Sequence, residues 1–130
     1  MQVYAYLRVL SDETTIRSLH SETNVPNAAT KPTKARRGEG DESVWWNWQT
    51  RQVSIEADNL DDGLRELLLS HRAIFPMIKR VSDLGADVYL EVVTQYDQGE
   101  SPRGLFLSTE TVLLLSEMGG AFDLDVRSDG

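Results

Sequence analysis

The chain has no cysteine. That excludes a disulfide framework, a thiolate zinc site and a cysteine nucleophile, and it suits a reducing compartment. It has two histidines, His20 and His71, in separate segments with no His-x-x-x-His spacing, so a first-row metal site is not expected. No apolar run approaches the roughly 20 residues that span a bilayer. The first residues, MQVYAYLRVLS, lack the basic, apolar, small-residue plan of a signal peptide. The expectation is a cytoplasmic protein without membrane contact. There is no Gly-x-Ser-x-Gly elbow. Gly38-Glu39-Gly40 is no phosphate loop, since it lacks Gly-Lys-Ser/Thr and places an acid where phosphate would sit. Neither an enzyme nor a cofactor is expected.

What is present is acid. The 130 residues carry a net charge of −8. Lys31, Lys34, Arg36 and Arg37 supply four positive charges within seven residues, so the rest of the chain sums to −12. A field of that sign repels phosphate backbones and attracts cationic surfaces. Nucleic-acid binders usually show a broad basic stripe instead, so nucleic acid is an unlikely partner and a protein the favoured one. The length fits one domain, residues 1–130, able to bury roughly two-thirds of its unfolded surface.

Val3, Ala5, Leu7 and Val9 alternate with Tyr4, Tyr6 and Arg8, the period of a strand. Ser11-Asp12-Glu13 supplies a helix cap, Ile16 and Leu19 follow at helical spacing, and Pro26 ends that helix near Thr23-Asn24. Residues 26–43 are poor in large apolar side chains and predict a long basic, Gly-containing loop, mobile at least in part. Val44 to Ile55 reads as a strand. Trp46 and Trp48 share one parity and Val53 and Ile55 the other, which predicts a break between Gln49 and Gln52.

Leu60 to Leu84 has helical spacing, but Pro76 cannot sit inside one helix. Two are expected, about 60–72 and 75–84, with Asp61 and Asp62 in the first turn of the former. Val88, Leu90 and Val92 give a strand, Asp97 to Pro102 a turn, and Leu105-Phe106-Leu107 a short strand. Ser108 caps a helix ended by Gly119-Gly120. Phe122, Leu124 and Val126 form a last strand with Asp123, Asp125 and Arg127 on its other face. The order argues an α+β fold: a largely antiparallel sheet of about five strands with helices packed on one face.

Four features could carry chemistry. Asp123 and Asp125 project from one strand face roughly 7 Å apart, which could serve acid–base work or a hard cation; the plainer reading is a solvated strand face that Arg127 partly neutralises. Asp61-Asp62 is accounted for by the helix dipole. Trp45, Trp46 and Trp48 with Arg36 and Arg37 invite base stacking beside phosphate contacts; the plainer reading puts Trp46 and Trp48 in the core and Lys34, Arg36 and Arg37 on a solvated loop, or on a partner-binding one. If helices cover only the Val3-Ala5-Leu7 side, Tyr4 and Tyr6 lie on an open sheet face near Trp45, an amphipathic binding platform; the plainer reading is a second, smaller packing layer under the long loop.

Gly99-Glu100-Ser101-Pro102, then Leu105-Phe106-Leu107-Ser108, a helix, and Gly120-Ala121-Phe122-Asp123-Leu124-Asp125-Val126 resemble the bacterial family called domain of unknown function 4279. The earlier order is similar too: a short helix before Val25-Pro26, a basic residue with Gly38-Glu39, a tryptophan strand, and a helical segment interrupted by proline. Gly104 adds a residue to the pattern, and Lys34-Ala35-Arg36-Arg37 is denser in charge. The resemblance implies a small bacterial protein found alone or near toxin systems, some of whose relatives look like immunity proteins. It carries over no catalytic residue. Together these readings point to a non-catalytic binding protein, an immunity-type antagonist that occludes a cationic toxin domain. Tyr4, Tyr6, Lys34, Arg36, Arg37, Trp45, Asp123 and Asp125 are the candidate contacts. The alternative is a small-ligand or sensor module with a pocket between the sheet and the 26–43 loop.

Overall fold

In the computed structural model, which describes residues 1–33, 45–101 and 104–128, the alternating N-terminal segment is strand β1 (Gln2–Ser11). Its odd residues Val3, Ala5, Leu7 and Val9 are buried. The Asp12 carboxylate accepts the Thr15 N–H at 2.8 Å and starts helix α1 (Glu13–Thr23). Asn24, with φ +47°, ends it in a left-handed turn two residues before Pro26.

The first departure from expectation follows. Residues Ala29–Thr33, placed by composition within a loop, form strand β2. It pairs antiparallel with β3 (Trp45–Gln49), Thr30 opposite Trp48 and Pro32 opposite Trp46. β2 lies at the sheet edge, where a proline without an N–H costs no ladder bond.

β3 and β4 (Val53–Ile55) both pair with β1, at its opposite ends: Trp48 faces Val9, and Ile55 faces Val3. The expected break lies between them and reverses parity, so Trp46, Trp48, Val53 and Ile55 share one face. Thr50 stitches the break to the middle of β1. Its N–H donates to the Leu7 carbonyl (3.0 Å) and its Oγ1 accepts the Leu7 N–H (2.9 Å). Thr50→Val keeps the shape but strands a buried N–H. It is expected to cost about 1–3 kcal/mol, read as a lower urea midpoint, while Thr50→Ser stays near wild type.

A short 3-10 turn at 57–59 leads into α2 (Leu60–Ser70), a second such turn at 72–74 into α3 (Phe75–Asp83), and Pro76 sits in the first turn of α3. The interruption at proline is the one expected from the sequence. β5 (Asp87–Tyr96), α4 (Thr109–Met118) and β6 (Ala121–Ser128) complete the chain. No strand forms at Leu105-Phe106-Leu107. The free edge of β5 is taken by β6 instead, which returns through α4 and so runs parallel to β5.

The sheet order is β2-β3-β1-β5-β6, with β4 on β1 beside β3. Among the described residues only the β5–β6 pair is parallel. The fold is thus α+β with a mixed, mainly antiparallel sheet of six strands among the described residues. The helices' buried residues Ile16, Leu19, Leu64, Leu68, Phe75, Ile78, Leu115 and Met118 join one cluster with Val3, Ala5, Leu7, Val9, Trp48, Leu90 and Val92. All of those strand residues lie on one face, so the four helices cover that face alone. None of these helices is long and apolar enough to cross a membrane.

Candidate functional site

The face that the helices leave is read from the register. Tyr6, Glu91 and Asp123 form one cross-strand row over β1, β5 and β6; Tyr4, Val93 and Asp125 form the next; Arg8 and Tyr89 lie on the other side. Rows on one face are separated by two residues, roughly 7 Å. Four of the sequence-selected residues therefore stand together: Tyr4, Tyr6, Asp123 and Asp125, all half-buried. Trp45 shares the face but not the place. It pairs with Thr33, just past the level of Ser11, about eight residues and some 25 Å along the sheet from Tyr4. The expected platform of two tyrosines beside Trp45 does not form. Lys34, Arg36 and Arg37 lie outside the described residues.

The centre of the face is a residue the pattern hid. Glu91 sits in the apolar run Val88 to Val93 and is 3% exposed. Arg8 reaches it from β1, NH1 to Oε1 at 3.1 Å, and donates Nε–H to Asn47 Oδ1 at 2.7 Å. Asn47, itself buried, donates to Gln49 Oε1 at 3.0 Å. With Asp123, which is hydrogen-bonded to Glu91, the chain of contacts crosses β3, β1, β5 and β6. A charged residue inside a six-residue apolar run was the available signal, because burying a lone carboxylate is costly and implies a partner.

The electrostatics follow from that burial. Desolvation, and then the Asp123 carboxyl beside it, raise Glu91 to about 7 against the pull of Arg8. Near neutrality the Glu91–Asp123 pair thus tends to hold one proton, and Arg8 offsets the remaining charge. Burial, then Glu91, raise the Tyr6 phenol. At the rim Arg127 grips Asp125 through Nε (3.0 Å) and NH2 (2.9 Å), the partial neutralisation expected from the sequence.

Such a face can present ring edges, hydroxyls and carboxyls to a partner. A carboxyl that keeps its proton near neutrality can also serve as a general acid, but this one is sealed beneath its neighbours. A cleft of about 360 Å³ lies on the helix side of the sheet, and Glu91 does not line it. Most of the 26–43 segment, beside which a ligand pocket is expected, lies outside the described residues. Among the described residues no group of three or more acids and histidines is placed to hold a metal.

Asp61 has a role beyond the helix dipole. Its Oδ1 accepts the Ser108 N–H and the Thr111 hydroxyl, each at 2.8 Å, and its Oδ2 pairs with Arg65 at 3.1 Å. It thus caps α4 from α2, and these bonds outweigh its desolvation and hold its carboxyl below the ordinary range.

A family model described as Domain of unknown function (DUF4279) matches residues 1–129. The chain belongs to this family. No curated protein and no solved structure matches it. The DUF4279 description names no activity, so the chemistry of this member has to be argued from its own side chains.

Proposed function

We propose that this DUF4279 protein is a non-catalytic binding protein that docks a protein partner on the helix-free sheet face. The most specific form of the reading is an immunity-type antagonist in the bacterial cytoplasm, occluding a toxin domain with a cationic surface. One observation carries it: Tyr4, Tyr6, Asp123 and Asp125 lie side by side on a face that none of the described helices covers. Aromatic rings give contact area at small entropic cost, and acids around them select a cationic partner. The acidic body, −8 overall, steers such a partner inward, with carboxylates standing where the phosphates of a nuclease substrate would be.

The test is direct. The purified protein is titrated into the toxin protein encoded beside its gene, and both binding and toxin activity are followed. Stoichiometric binding with loss of toxin activity is expected, with an association rate that falls as salt rises. Absence of binding at low salt, or turnover of any substrate by the protein alone, would sink the proposal.

A further inference from the structure

The two edges of the sheet are built differently. An unpaired edge strand is a template for another strand, and native proteins blunt it with proline, lysine or a bulge. β2, at one edge, carries Lys31 and Pro32. β6, at the other, has neither, and its register on β5 runs unbroken from Ala121 to Ser128. Among the described residues no strand pairs with its outer side. Leu124 and Val126 stand on its helix side, 41% and 52% exposed, so apolar surface lies beside the open backbone.

The charges on the other face of β6 select what can pair there. Two identical antiparallel strands are symmetric about one residue, which then faces itself, and like charges directly opposite are unfavourable. A symmetric register that pairs at least five residues of β6 is centred on Asp123, Leu124, Asp125 or Val126. Centred on Asp123 or Asp125, it sets that carboxylate against its own copy. Centred on Leu124, it sets Asp123 against Asp125. Centred on Val126, it opposes no like charges: each Asp125 faces Arg127 of the second copy, Val126 meets Val126, and Leu124 lies beside Ser128. Within one chain Arg127 Nε already donates to Asp125 Oδ2 at 3.0 Å. The same two groups of a second copy would close a ring of four alternating charges.

We infer that β6 is a self-association edge, through which two copies of this chain join antiparallel about Val126 into one continuous sheet. The two-fold axis stands perpendicular to the sheet, so both helix-free faces lie on the same side of it. Self-association is measured on the protein alone and does not rest on the docking reading; its failure leaves the face of each copy in place.

Five paired residues per copy make a small contact, in the weak class below roughly 1,200 Å². The whole protein is therefore followed by sedimentation from about 10 μM to 1 mM, the range in which so weak a pair populates. The average mass is expected to rise from that of one chain toward that of two. Asp125→Arg sets arginine against arginine, and Arg127→Asp sets acid against acid. Each variant, verified as folded by its melting curve, should associate more weakly by about tenfold or more. Mixed one to one, the two variants oppose unlike charges at every such position, and association should return. Val126→Lys, at an exposed site, should stay monomeric while folded. A wild type that remains monomeric throughout would overturn the inference and leave the edge to an extended segment of another protein. Single variants that associate like wild type, or a mixture that does not recover, would overturn it equally.

Discussion

Replacing Trp48 by alanine is expected to cost about 3–5 kcal/mol, a large share of the roughly 5–15 kcal/mol that holds a domain of this size together. The indole is fully buried and sits opposite Val9 at the junction of β1, β3 and β2. Nothing nearby is free to collapse into the space, because Val9 and Leu7 belong to the central strand and are themselves wholly enclosed. Thermal unfolding should show a fall of the order of 10–20 °C. Trp45→Ala supplies the contrast. Trp45 is half-buried on the opposite face, and its loss should cost no more than about 1.5 kcal/mol. Trp46 is intermediate, since the Arg17 guanidinium lies 4.9 Å from its ring centroid and shields it. Equal losses at Trp45 and Trp48 would contradict the assignment of faces on which the docking surface rests.

The second large effect is a pH dependence carried by Glu91. Its carboxyl is raised from 4.5 to about 7 in the folded protein, so the folded state binds more protons than the unfolded chain between those values. The stability this contributes is fully present below about pH 4.5 and is lost as pH rises through 7. A shift of this size corresponds to a loss on the order of 2–3 kcal/mol between pH 4.5 and 8. His71, whose imidazole is lowered by burial, gives a slope of opposite sign below about pH 6.5. The comparison that isolates the carboxyl is therefore with Glu91→Gln, in which His71 is unchanged. Urea midpoints across pH 5 to 8 should show wild type losing ground to the variant as pH rises. A constant difference between the two would contradict the buried, proton-sharing pair.

Much of the architecture was legible because local chemistry determined it. Asp12 and Ser108 accept the N–H groups three residues on, at Thr15 and Thr111. Asn24 and Gly119 take left-handed conformations where helices had to stop, and Pro76 falls where a helix could begin but not continue. The parity reversal between Trp48 and Val53 located the break that Thr50 bridges. What was not legible depended on distant partners. β2 has little apolar character of its own and exists because Thr30 and Pro32 lie over the tryptophans of β3. Leu124 and Val126 alternate like core residues, yet they are 41% and 52% exposed because β6 is the edge strand. Glu91 looked like an interruption in an apolar run, and only the register revealed Arg8, Asn47 and Asp123 around it.

The same register changes how the candidate site is understood. Asp123 and Asp125 share one strand face but divide in role: Asp123 turns inward to Glu91, and Asp125 stays at the rim with Arg127. Asp125 and the two tyrosines can therefore be altered with least disturbance of the network beneath them.

The most direct measurement is the association rate with the toxin protein encoded beside the gene, for wild type and for a variant carrying Tyr4→Ser, Tyr6→Ser and Asp125→Lys, each first verified as folded. Docking on the helix-free face predicts an association rate reduced by about tenfold or more in the variant at low salt, with a smaller gap at high salt, and faster dissociation from the loss of the rings. Unchanged rates in a folded variant would place the partner elsewhere and contradict the account.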